Sequence, residues 1–177
     1  MDTVWKVFVQ YFICVCSLIL VTKGENISCD FETTQCGWTS TGANTNTDWI
    51  RNLANTWTVP HVNDHTNKGD GFYVRFQTYD ERKQGNFKSP TITLNAPTCL
   101  SFWFYVNGTN INSFVIDITP GNEFPIDIAQ QYKWYQHLIN LSSGVNQVTI
   151  KAEFNGIVAG NGRGRCIIVD DVMQIDG

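Results

Sequence analysis

No twelve-residue stretch of this 177-residue chain carries a helical apolar period, and beyond residue 24 no apolar run approaches the roughly 20 residues a spanning helix needs. The chain has no clustered positive charge, which argues against a nucleic-acid binder. Its three histidines, His61, His65 and His137, are scattered, and neither GxSxG nor HExxH occurs. No CxxC pair with neighbouring histidines offers a zinc set. The glycine-rich Gly160 to Arg165 (GNGRGR) lacks the strand–loop–helix setting and Lys-Ser/Thr ending of a phosphate loop, so it reads as a hairpin or binding loop. No repeat, low-complexity tract or long acidic run is present. The usual signatures of an enzyme are thus missing.

Val7 to Val21 (VFVQYFICVCSLILV) is almost wholly apolar and is followed by Thr22, Lys23 and Gly24. This pattern predicts a secretory signal peptide over residues 1–24, with an uncleaved anchor as the alternative, and one domain over residues 25–177. Removing the leader leaves 15 acidic and 10 basic residues, a net charge of −5. Cys14 and Cys16 depart with it, leaving Cys29, Cys36, Cys99 and Cys166. An even set in an oxidising compartment predicts two disulfides. Three pairings are open; the short Cys29–Cys36 loop is the natural first choice, which leaves Cys99 with Cys166. Chain entropy assigns the short loop roughly 2 to 3 kcal/mol and the long one about 4 kcal/mol. Sequons at Asn26 (NIS), Asn107 (NGT) and Asn140 (NLS) predict a glycoprotein, each site requiring a surface loop.

Apolar residues alternate from Gly71 onward, so strands dominate. In Asn146 to Phe154, Val148, Ile150, Ala152 and Phe154 share one face and Gln147, Thr149, Lys151 and Glu153 the other. Thr98 to Val106 is apolar on both sides and is expected to lie centrally. Further strands are predicted at Phe72 to Phe76, Thr91 to Leu94, Phe114 to Ile118, Trp134 to Leu141 and Cys166 to Ile175. Turn signals separate them, including Asn107-Gly108, Pro120-Gly121 and Ser143-Gly144, whereas Thr39 to Thr47 (TSTGANTNT) reads as a polar loop. Many short strands between turns predict an all-β sandwich or barrel.

An ordered set of landmarks spans the mature chain: Cys29-Asp30-Phe31-Glu32, Cys36-Gly37-Trp38, Asp48-Trp49-Ile50-Arg51, Asp64-His65-Thr66 and Gly71-Phe72-Tyr73. It continues with Ser89-Pro90, Cys99 to Tyr105 (CLSFWFY), Trp134 and Ile168-Val169-Asp170-Asp171-Val172. In this order they resemble the MAM domain, named for meprin, neuropilin and receptor tyrosine phosphatase mu. The resemblance implies a jelly-roll β-sandwich of two antiparallel sheets, used in extracellular adhesion and assembly. The family pattern commonly ends in a cysteine after its last glycine, whereas this sequence has Cys166 ahead of the Asp170–Asp171 pair. Cys166 is therefore expected to substitute as the partner of Cys99 or to remain a thiol. Family members usually sit beside other modules; if the 177 residues are the whole gene product, a stand-alone secreted module is expected.

The resemblance to metal-bearing jelly rolls implies a structural calcium site, with Glu32 and Asp170 as ligands and Asp48, Asp64 and Asp171 in reserve. Alternation places Asp171 in phase with Ile167, Val169 and Met173, so one carboxylate of the pair should face the interior and need a partner. Trp38, Trp103 and Trp134 are expected in the core, Trp57 is free to stack on a sugar, and His137 is expected on a wet face. Function then reads as a secreted, non-catalytic protein-interaction module for cell adhesion or matrix assembly, through extracellular proteins or self-association. Carbohydrate binding and a role in a secreted or mineralised matrix are the alternatives.

Overall fold

A computed structural model describes residues 26–42, 49–54, 56, 62–66, 69, 71–77, 83–129, 131–155 and 165–175. Eleven strands are assigned among them: β1 Thr39–Gly42, β2 Trp49–Leu53, β3 Phe72–Gln77, β4 Lys83–Lys88, β5 Ile92–Leu94, β6 Thr98–Asn107, β7 Ile111–Thr119, β8 Glu123–Pro125, β9 Trp134–Leu141, β10 Gly144–Phe154 and β11 Cys166–Ile175. They form two sheets in which every pairing is antiparallel. The six-stranded sheet runs β1-β4-β10-β7-β8, with β5 also on β10, and the five-stranded sheet runs β2-β3-β11-β6-β9. The expected jelly-roll sandwich is therefore present.

The inward faces follow the alternation read from sequence. Val148, Ile150, Ala152 and Phe154 of β10 meet Leu100, Phe102, Phe104 and Val106 of β6 in one core. Aromatic rings carry contact across both sheets: Trp38 stacks on Phe87 at 5.2 Å, Phe87 lies 5.8 Å from Trp49, Trp49 5.5 Å from Phe76, and Phe76 5.2 Å from Phe154. Gly85 on β4 makes that contact possible, because a Cβ there would lie 2.3 Å from the Phe76 ring. On the outer face of the six-stranded sheet Lys151 Nζ bonds Glu123 at 2.8 Å and Asp117 at 3.0 Å.

Several expectations need correction. Thr39–Gly42, read as loop, is an edge strand whose partner is β4. Cys29 and Cys36 are bridged, with Cα atoms 5.7 Å apart, but Cys99 and Cys166 are not. In the β6–β11 ladder Cys166 stands opposite Asn107 and Cys99 opposite Ile175. Eight strand positions are about 26 Å, far beyond the roughly 7 Å a disulfide spans. Asn107 ends β6 buried, at 5% exposure, rather than in a surface loop. Asn26 and Asn140 are exposed, but Asn140 lies in β9 rather than in a loop. His137 sits on the core side of β9, 5.5 Å from Phe102, and burial lowers its pKa. Trp38 is in the core, whereas Trp103 and Trp134 are half-buried on the outer face of the five-stranded sheet. Trp57 and Asp48 lie outside the described residues.

Candidate functional site: a buried carboxylate centre

β11 enters the site as a regular strand, with Ile167 and Val169 in the core and Ile168 and Asp170 on the outer side. Asp171 then adopts φ +46°, and the ladder slips so that Asp170 faces Trp103 while Met173 faces Ser101. This is a β-bulge: one extra residue on β11 resets the phase. The strict alternation expected for Asp171 breaks at that residue. Asp170, at 0% exposure, is the buried member of the pair, and it lies on the outer side under a covering loop rather than in the central core.

That loop is the segment 62–66. The His65 N–H donates to Asp170 Oδ2 at 3.2 Å and the Asp171 N–H to Asp170 Oδ1 at 2.9 Å. The His65 ring stacks on Trp103 at 3.8 Å, and its Nδ1 lies 2.6 Å from Asp171 Oδ2. Trp134 meets that ring edge-on and donates its Nε1–H to the Asn63 carbonyl at 3.2 Å. Asp64, also buried, hydrogen-bonds Asp170 carboxyl to carboxyl and accepts from the Thr66 hydroxyl. Gly71 passes so close that a Cβ would fall 2.6 Å from Asp64 Cγ, so only glycine fits. Beneath lies a second apolar cluster of Ala54, Val62, Tyr73, Tyr105, Cys166 and Ile168, against which Trp134 packs.

Two carboxyl groups in contact cannot both ionise, and their surroundings separate them. Burial, the Asp64 hydrogen bond and the nearby Asp171 and Asp64 charges push Asp170 up to about 10. Burial opposes ionisation of Asp64 too, but hydrogen bonds from Asp170, Thr66 and the Thr66 and His65 amides outweigh it and hold Asp64 below the usual range. Asp170 therefore carries the proton and Asp64 the charge. Burial also raises the Tyr73 hydroxyl and the Cys166 thiol to about 12 each. At neutral pH Cys166 stays a thiol and is a poor nucleophile.

Of the carboxylates singled out in the sequence, Asp64, Asp170 and Asp171 are brought together. Glu32 is exposed; its Oε1 accepts the Phe72 N–H at 3.2 Å, one residue beyond the glycine that presses on Asp64. Arg51 braces the Glu32 segment from β2, donating to the Phe31 and Glu32 carbonyls. Among the described residues no group of three or more His, Cys, Asp or Glu side chains is placed to hold a metal ion. The Asp64–Asp170 pair matches calcium in donor chemistry, oxygen only, but not in number, since calcium takes six to eight oxygens. His65 and Trp103 were missed as members of the centre. The Asp-His-Thr landmark contained the signal, but nothing in sequence shows that a loop residue stacks on a strand tryptophan.

The sequence profile of the MAM domain, meprin/A5/mu, matches residues 29–176. Solved structures share the fold at low identity. The K1 cleaved adhesin domain of Lys-gingipain from Porphyromonas gingivalis W83 superposes with a TM-score of 0.59 at 17% identity, covering 87% of this chain and 99% of that one. TmCBM61, solved with β-1,4-galactotriose, gives 0.53 at 16% identity over 79% of this chain and 88% of its own. A structure from a study of carbohydrate-binding modules of the β-sandwich superfamily gives 0.52 at 13% identity, covering 79% and 57%. With the landmarks, the disulfide and the two-sheet sandwich all in place, the chain belongs to the MAM domain family, a family of extracellular modules.

Proposed function

We propose that this chain is a secreted, non-catalytic interaction module that binds extracellular proteins, or a second copy of itself, in adhesion or matrix assembly. The observation that carries the reading is the closure of its most chemically loaded cluster. The Asp64–Asp170 pair is buried under the 62–66 loop, with its proton and charge satisfied internally. Such a centre locks a loop onto a sheet; it offers no base or nucleophile to a substrate. Its role is to fix the surface that partners read.

Glycan binding is the second reading, favoured by Tyr132, a residue 67% exposed just ahead of β9 whose ring could stack on a sugar face. The test is to measure the mass of the purified chain in solution and to screen it against matrix proteins and a glycan array. Self-association or protein capture without a glycan signal supports the interaction module. Glycan binding abolished by Tyr132→Ala replaces it with the second reading.

A further inference from the structure

Beyond the bulge at Asp171 the outer face of the five-stranded sheet loses the cover of the 62–66 loop. Register gives the side chains there row by row. Met173 of β11 faces Ser101 of β6, which faces Leu138 of β9; in the next row Ile175 faces Cys99, which faces Asn140. Leu138, Met173 and Ile175 are 54%, 47% and 39% exposed, while the small Ser101 and Cys99 between them are buried. None of the six is charged. Together they make an uncharged, largely apolar patch on which a bound group can lie.

The row continues past β11. Cys29 and Val172 exchange backbone hydrogen bonds of 2.7 and 2.9 Å, and the Gln174 N–H donates to Ser28 Oγ at 2.8 Å. The segment 26–29 thus runs antiparallel beside the last residues of β11, and continuing that register sets Ser28 beside Met173 and Asn26 beside Ile175. Ile27 and Cys29 are in the core, so Asn26 and Ser28 take the outer side. Asn26 and Asn140, both exposed, stand at opposite flanks of one row, and each heads a sequon, NIS and NLS; Asn140, one residue from the end of β9, has the exposure that attachment needs without lying in a loop. The Cys99 thiol donates to Asn140 Oδ1 at 3.3 Å and orients the amide while leaving its nitrogen for attachment.

We propose that N-linked glycans on Asn26 and Asn140 close over the Leu138–Met173–Ile175 patch from both sides. Pyranose rings carry C–H faces that lie against aliphatic side chains while their hydroxyls stay in water. β9 and β11 are only about 10 Å apart, so the first sugars of each glycan suffice to span the row. The proposal rests on passage through the secretory route, which is part of the reading above.

The test is to express the full chain in cultured animal cells, map glycopeptides of the protein in the medium, and measure hydrophobic-dye binding before and after enzymatic removal of glycans from the folded protein. We expect glycan on Asn26 and Asn140, and a several-fold rise in dye fluorescence with concentration-dependent association once it is removed. Adding Leu138→Thr and Met173→Thr should abolish both gains. Secreted protein bare at both asparagines overturns the proposal and leaves the extracellular reading standing; unglycosylated protein retained in the cytosol overturns both. Unchanged dye binding after deglycosylation also defeats it. So does a glycosylated chain that already self-associates and is dissociated by Leu138→Thr, because a second copy then occupies the patch.

Discussion

The two ends of one sheet face are finished differently. At one end of the five-stranded sheet's outer side, Tyr73, Tyr105, Cys166 and Ile168 are sealed in a second apolar cluster and the Asp64–Asp170 centre clamps the loop beside it. At the other, Leu138, Met173 and Ile175 stand in the open. β6, β9 and β11 run through both ends, and on either side of the bulge their residues alternate between the two faces. Burial on an outer face is therefore decided by what crosses it, which is a property of loops rather than of strand pattern. The bulge at Asp171 marks the border between the two regimes.

The largest effect expected is at the sealed end. Ile168→Ala should cost about 2 to 5 kcal/mol in urea unfolding, as for a central core position; a loss below about 1 kcal/mol would mean the loop does not seal that end. Next, Asp64→Ala should cost about 1 to 3 kcal/mol by leaving the buried Asp170 carboxyl without its partner. Because the oxygen ligands at the centre are too few for calcium, the parent melting temperature should be indifferent to both chelator and calcium; a rise with calcium that Asp64→Ala abolishes would place the cation there.

The pH dependence has a definite sign. Asp170 is raised from a carboxyl's usual value near 4 to about 10 in the folded state. The folded chain keeps a proton there that the unfolded chain releases, so this contribution is complete below about pH 4 and is lost as pH climbs toward 10. In chelator, the stability difference between the parent chain and Asp170→Asn should shrink from pH 5 to pH 8. A difference that grows with pH contradicts the assignment of the proton.

Smaller effects complete the contrast. Denatured, unreduced protein lacking residues 1–24 should titrate two thiols, and in the native state iodoacetamide should spare Cys166 until global unfolding, because it is buried with its thiol pushed to about 12. At the open end, Leu138→Thr should change stability by no more than about 0.5 kcal/mol; a larger loss would show that this face, too, is covered within the polypeptide.

The strands that sequence disclosed best were those with clean alternation between turn signals: β9 and β11 begin and end where the pattern places them. β4 (KQGNFK) escaped because it has one apolar residue, Phe87, and a glycine whose purpose is visible only when Phe76 arrives from the opposite sheet. β1 escaped because an edge strand can be wholly polar. The candidate site was half legible. Its carboxylates could be named, but sequence leaves open which of Asp170 and Asp171 is buried; the bulge takes Asp171 out of phase and the 62–66 loop covers Asp170. The Cys29–Cys36 pairing is present, whereas Cys99–Cys166 failed for a related reason: separation along the chain carries no information on ladder direction, and it is direction that puts Cys99 and Cys166 at opposite ends of β6 and β11.

The rung between Cys29 and Val172 has a mechanical consequence. Because the first and last described segments lie side by side, a pull applied between them is borne first by that local pair, in series, and not by the sandwich. The load peels the edge of β11 one bond at a time while the aromatic column through Trp49, Phe76 and Phe154 feels little of it. Anchored by both segments to one side of a structure, the domain would yield at low force by unzipping; held by a partner on its far loops instead, the same rung would come under shear only after the sheets themselves were strained.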